Sequence, residues 1–481
     1  MRAGDSNSRG STGPMARTWL ATVLLLVLIC AARTSTIALD DDNLYLAYLA
    51  AGPTAEAKAL EGRIADRAAA ERACELEAFR ISVRDRYAAN YAGYSALGGA
   101  INRTIAAFEA RPRSVETVIA ALIVTKALVS LCIGLALVWT AARLKDQGER
   151  IAVAAAIVAL AGLDWLAHTG ALRLYGISDV GYPLKAAVHL GYSFVVADEP
   201  HSLFGLTPRN AALGLFAIAL MLKWNDRPVA ASIVILAIAA LHQTYAGIAL
   251  LFFCAASAIS RPDILKPVQV RLILVLCLLL SLLRDRYGTE GTGLLAVAAG
   301  VLTAGAFAAF AFVQSPAYQR LRDRMTGRFR GDEILIDAGV LVAICICGTL
   351  LAMIFGPSSE GPVRLYFWSD LAIRIWSFAR FPFFVAVALI LARWFARPSR
   401  AIAATTVTAA ILSIAVALQI DMRPEWSIHG SLDSNLAAVR DGALDFEGAL
   451  YLNLASVSVG AESADRAAEM LSSLPMGCRP N

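Results

Sequence analysis

Ile37-Ala38-Leu39-Asp40-Asp41-Asp42-Asn43-Leu44-Tyr45 closes the first apolar segment of the chain with three consecutive carboxylates. The core before it, Trp19 to Ala32, has about the length of a signal-peptide h-region, so cleavage competes with membrane spanning. Continued through Arg33 to Leu39, the segment reaches span length, with Arg33 able to snorkel to the headgroups. Ile29 before Cys30 argues against lipoprotein processing, which wants a small residue there. The reading adopted is an uncleaved first transmembrane helix at 18–39. Three adjacent carboxylates where that helix surfaces repel one another strongly, so they need water, a cation or a group that exploits a raised pKa. A solvated stop signal and an acid–base site are the two readings left open.

Composition agrees with a membrane class. The chain has 481 residues, of which 58% are hydrophobic and 17% charged, and its mean hydropathy is +0.60. Soluble domains carry roughly 25% charged residues. A net charge of +5 is modest and gives no reason to expect nucleic acid. Residues 1–17 are rich in Gly and Ser and carry Arg2, Arg9 and Arg17 against Asp5, which predicts a disordered cytoplasmic tail.

Residues 40–114 read as an outer helical segment. Pro53-Thr54 opens a charged run in which Leu76, Phe79, Val83 and Tyr87 recur at helical spacing. Tyr87, Tyr91 and Tyr94 lead toward Arg111-Pro112-Arg113, an interfacial return to the bilayer. Asn102-Arg103-Thr104 matches a glycosylation sequon, a triplet common by chance.

A multi-span bundle over 115–420 follows, and its basic residues alternate. Arg143, Lys145 and Arg150 follow the second span, Lys223 and Arg227 the fourth, and Arg261, Lys266 and Arg271 the sixth. Arg320, Arg322, Arg324, Arg328 and Arg330 follow the eighth, and Arg393, Arg397 and Arg400 the tenth. By the positive-inside rule these loops share the cytoplasmic side, giving an all-α polytopic protein with roughly 11 transmembrane helices. The N-terminus is then inside, and residues 421–481 form an outer C-terminal segment.

The opposite face collects Asp40 to Asp42, Asp164 and His168 near the end of the third span, Ser178-Asp179, Lys185, His189, Asp198-Glu199, His201, His242 and the stretch from Arg364 through Arg380. Ionisable groups gathered on one membrane face point to a site, although outer loops are also simply wet. Two junctions there are more specific. Thr207-Pro208-Arg209-Asn210 has an N-cap residue followed by Pro at the first helical position, and places Arg209 in the first turn. The helix dipole disfavours a cation there unless an anion such as a lipid phosphate joins it. Leu241-His242-Gln243-Thr244-Tyr245-Ala246-Gly247 joins two apolar runs too short for a full crossing, which predicts a helical hairpin whose tip stops below the outer surface. His242 would be a base, a substrate donor or a satisfied structural histidine.

In the order of these features the chain resembles the integral-membrane glycosyltransferases of the GT-C type. Members have an acidic motif directly after the first span, here Asp40 to Asp42. Some bacterial relatives are also similar in a Thr-Pro-Arg helix start, here Thr207-Pro208-Arg209, followed by a short hairpin with His and an aromatic at its turn, here His242 to Tyr245. The likeness covers about Trp19 to Ile420. It implies a polyprenyl-phosphate sugar donor, an envelope glycan, lipid or protein acceptor, and a bacterial inner membrane location. It also implies Asp40, Asp41 or Asp42 as the base, with Arg209 and Arg380 at the departing phosphate and His242, Asp164 and His168 lining the substrate site. The long charged segment at 40–114 and the small C-terminal segment depart from the family pattern, and a role that has replaced catalysis is the alternative they raise.

A transporter or flippase is the rival, because Lys126 and Asp164 fall inside predicted spans, although no internal repeat accompanies them. A polysaccharide polymerase and a non-catalytic scaffold are further readings. No cofactor is assigned. No P-loop, dinucleotide fingerprint or zinc-type Cys/His spacing is present. Of eight cysteines, only Cys74 and Cys478 fall in outer segments, where an oxidising compartment permits a disulfide.

Overall fold

A computed structural model describes residues 115–168, 202–283 except 206, 292–326, 332–355 and 362–394, together with positions 22–24, 97, 99–101 and 103. Asp40 to Asp42, Cys74, Cys478 and the segments 1–17 and 421–481 lie outside the described residues. Every element among the described residues is helical. In chain order these are α1 (Val115–Ala141), α2 (Gln147–His168), α3 (Pro208–Trp224), α4 (Pro228–Leu241) and α5 (Gln243–Ser260). A 3-10 turn (Pro262–Leu265) leads to α6 (Val268–Leu283), α7 (Thr292–Val313), α8 (Pro316–Thr326), α9 (Glu333–Phe355) and α10 (Pro362–Trp394).

Three helices carry 18-residue windows long and apolar enough to cross a membrane: Val124–Ala141 in α1, Glu333–Leu350 in α9 and Arg374–Leu391 in α10. Among the described residues, shorter apolar stretches lie in α4, α5, α6 and α7, that of α4 being 14 residues long. On α6, Val268, Leu272, Leu276 and Leu280 recur every fourth residue and are 44–57% exposed, a greasy stripe suited to lipid. These features associate the protein with a membrane.

The helix α3 is the centre of the bundle. It packs on α1, α4, α5 and α10, and small residues let it do so. Ala212, Ala217 and Ala219 are fully buried. A Cβ on Gly214 would come within 2.7 Å of the Ile133 side chain on α1, so that position admits no larger residue without a shift. Across from it, Phe216, Phe252 and Phe378 meet edge to face with ring centroids 5.0–6.4 Å apart, joining α3, α5 and α10.

The start of α3 follows the sequence expectation. Thr207 is the N-cap in an extended conformation, and Pro208 takes the first helical position. A capping box forms with Asn210 in the place usually held by Glu or Gln: the Thr207 N–H donates to Asn210 Oδ1 at 2.8 Å, and the Asn210 N–H donates to Thr207 Oγ1 at 3.5 Å. Asn210 Nδ2 also donates to the Ser202 carbonyl at 2.7 Å, and Ser130 of α1 donates to the Phe204 carbonyl at 2.7 Å. This preceding loop is buried, so its backbone polar groups are satisfied by side chains rather than water. Gly205 is obligatory there, since a Cβ would lie 2.3 Å from Asn210.

The helix ends as tidily as it begins. The Asp226 N–H bonds to the Lys223 carbonyl at 3.0 Å and the Arg227 N–H to the Leu222 carbonyl at 2.9 Å, a Schellman motif with Asp226 at φ 58°. The chain then reverses into α4, with Pro228 at its first turn. His242 is at once the C-cap of α4 and the N-cap of α5, so the expected hairpin forms with a single residue at its corner. Fourteen residues make α4 about 21 Å long against a hydrocarbon core of about 30 Å.

Ion pairs gather four of the five basic turns, those after α1, α3, α5 and α10, at one end of this bundle, here called the loop end. Lys145 after α1 pairs with Asp226 after α3, Asp226 with Arg261 after α5 at 2.8 Å, and Arg261 with Glu333 opening α9 at 3.2 Å. Arg393 closing α10 pairs with Asp332 at 2.6 Å. The expectation for the basic loop after the eighth predicted span needs refinement, because Arg320, Arg322 and Arg324 belong to a helix, α8.

Candidate functional site

At the opposite end, called the tip end, two helix starts meet under the protein surface. Arg209 lies in the first turn of α3 and is 8% exposed, while His242 and Tyr245 at the head of α5 are fully buried. The His242 and Tyr245 rings sit 4.6 Å apart, and Tyr245 rests on Phe378 of α10 at 5.2 Å. His242 Nδ1 accepts from the Tyr245 N–H at 3.4 Å as a helix cap. A neutral imidazole that accepts at Nδ1 carries its proton on Nε2, so that edge is a donor.

The charged groups whose fields reach His242 are Arg209 and Arg374, the latter on α10. Arg209, in the first turn of α3, and His242, the cap of α5, each stand at a buried helix start, and Arg374 on α10 is half-buried. Positive charge beside helix starts favours an anion, and the planar guanidinium fork suits a phosphate.

Arg209 and Arg374 thus stand within electrostatic reach of His242. Arg380 requires a correction. The stretch from Arg364 through Arg380, read as part of the outer face, lies within the single helix α10. Arg380 is buried there, with its guanidinium 5.9 Å from the Phe384 ring. Six residues beyond Arg374, it sits about 9 Å further along the helix toward the loop end. Asp164 and His168 fall in the last turns of α2, which runs from the loop end toward the tip end. Lys126 on α1 is buried. Asp40, Asp41 and Asp42 lie outside the described residues.

The sequence reading missed a second polar cluster. Lys223, taken for a basic loop residue, is completely buried. Its ammonium donates to Asp337 Oδ2 at 2.5 Å and to Ser260 Oγ at 2.8 Å, and stands 3.0 Å from Glu333. Trp224 Nε1 donates to the same Asp337 oxygen at 2.7 Å. The available signal was Asp337 inside the apolar run Glu333-Ile334-Leu335-Ile336-Asp337-Ala338-Gly339, a charge that demands a partner in a membrane helix. Nearer the surface, Asp226 is held below the usual carboxylate range by hydrogen bonds from Lys145 and then Arg261. The cluster locks α3, α5 and α9 together.

Among the described residues no group of three or more His, Cys, Asp and Glu has metal-binding geometry. Cys132, Cys254, Cys277, Cys345 and Cys347 are free thiols.

No family model, curated protein or solved structure matches the chain.

Proposed function

We propose that this protein is a GT-C-type membrane glycosyltransferase that moves a sugar from a polyprenyl-phosphate donor to an envelope glycan, lipid or protein acceptor. In this reading it is a multi-pass protein of a bacterial inner membrane, with about 11 spans, the loop end cytoplasmic and the tip end outward. The observation that supports it is that the charges of Arg209, buried in the first turn of α3, and of half-buried Arg374 on α10 both reach His242, the buried cap of α5. One carboxylate of Asp40, Asp41 or Asp42 takes the proton of the acceptor hydroxyl, whose oxygen attacks the anomeric carbon with inversion. The bond to the lipid phosphate breaks, and its oxygen leaves with the electron pair. Arg209 and Arg374 stabilise that charge where water cannot. Arg380, buried in α10, and Asp164 and His168, near the end of α2, are the further substrate-site residues of this reading.

Transfer from a short-chain polyprenyl-phosphate sugar by the purified protein in lipid vesicles tests this. Asp40→Asn, Asp41→Asn or Asp42→Asn should abolish transfer in at least one case, and Arg209→Gln should lower it by about 100-fold, the scale of one lost charge-stabilising group. Full activity in all four variants removes the reading.

The buried Lys223–Asp337 pair favours a second reading, a transporter or flippase of an envelope intermediate, because paired intramembrane charges are typical of coupling sites. Substrate uptake into vesicles that disappears in Asp337→Asn, with no sugar transfer by the wild type, would support it.

A further inference from the structure

The helix α8 does not belong to the bundle core. It begins after a two-residue corner at the end of α7, where the Ser315 N–H bonds to the Phe312 carbonyl at 2.8 Å and the Ser315 hydroxyl caps the Tyr318 N–H at 3.2 Å. Pro316 at its first position starts the new helix, and Phe312 of α7 meets the Tyr318 ring edge to face at 5.5 Å. An amphipathic helix is thereby held at the very level where an apolar helix leaves the bilayer.

Its residues are arranged by helical register. At 100° per residue, Ala317, Tyr318 and Leu321 fall within one arc of about 100°. Arg320 and Arg324 border that arc on one side and Arg322 on the other, while Gln319 and Asp323 point away. Leu321 is 51% exposed and Ala317 is exposed too. A solvated surface helix has no need of an uncovered apolar stripe with arginines along both borders. A helix lying in the interface does, because its stripe enters the acyl boundary while flanking guanidiniums reach the headgroup phosphates. Arg320, Arg322 and Arg324 against one Asp323 give the helix a net positive charge. Arg328 and Arg330 continue the series in sequence.

We propose that α8 is an interfacial anchor that binds the anionic lipid headgroups of the leaflet at the loop end. The proposal depends on the bundle lying in a bilayer and is independent of the sugar-transfer reading. Its occupant is a lipid surface, since the charge on the stripe's borders complements phosphate and no carboxylate row is needed to meet it.

Hydrogen exchange of the full chain in lipid nanodiscs tests it. One set contains phosphatidylcholine alone and the other includes phosphatidylglycerol. The α8 amides should exchange more slowly in the anionic discs, and added salt should erase the difference. Arg320→Gln, Arg322→Gln and Arg324→Gln, made together, should lower the anionic-lipid protection by about fivefold per arginine, with exchange in α3 and α5 unchanged. Equal exchange of wild-type α8 in the two lipids overturns the proposal. So does protection that persists in the triple variant or in high salt, which would mean that a segment of protein covers the stripe.

Discussion

Lys223 and Asp337 lie 114 residues apart and are both inaccessible to solvent. Removing one member of such a pair strands a charge in a medium that cannot hydrate it. Lys223→Met should therefore cost about 3–5 kcal/mol, while the double change Lys223→Met with Asp337→Leu should recover most of it. Thermal unfolding in detergent would read both, and a double variant as weak as the single one would show that the cluster contributes more than charge balance. Asp226 behaves differently because it is partly exposed. Its pKa is depressed in the folded protein, so its contribution is present above the ordinary carboxylate range and is lost as pH falls through its folded value. Unfolding temperature should drop on the acid side for the wild type, and Asp226→Ala should weaken that dependence. At φ 58° the same position strains any residue with a Cβ. Asp226→Gly should thus be more stable than Asp226→Ala by about 1 kcal/mol.

The entry to α3 is the most demanding element, because a helix start is buried together with the loop that feeds it. Thr207→Ala removes the cap and should cost about 1–2 kcal/mol, the upper part of the range for caps. Gly205→Ala should do at least as much harm, since its methyl would displace Asn210 and undo the capping box and the bond to Ser202 together. Hydrogen exchange localised to the first two turns of α3 would detect both; unchanged protection there would mean that the neighbouring helices, not the cap, hold this end. The corner at His242 is equally economical. One residue ends α4 and begins α5, and His242 and Tyr245 are fully buried there.

For the whole molecule, the basic turns supply a topology that fusions can test. A reporter active only outside the cytoplasm should work after residues 60, 290 and 430 and fail after 147 and 325. Activity at 325 would break the map, because that site lies in α8 at the loop end. A disulfide between Cys74 and Cys478 would join the first outer segment to the C-terminal one. Alkylation followed by non-reducing electrophoresis checks it, and two freely labelled cysteines at those positions exclude the bond.

Several features were legible before any coordinates because they depend on neighbours in the chain. Apolar runs of membrane length, the Thr207-Pro208 start, the hairpin corner at His242 and the alternation of basic turns are all local or periodic patterns, and the backbone must satisfy itself accordingly in lipid. Other features had no local signature. Lys223 reads as one more basic loop residue until α9 is seen to bring Asp337 and Glu333 against it. Arg374 reads as part of a polar stretch until α10 runs through it and sets its charge within reach of His242. Those outcomes were decided by packing, because a buried charge takes its meaning from partners that can stand more than a hundred residues away, and only the tertiary structure puts them side by side.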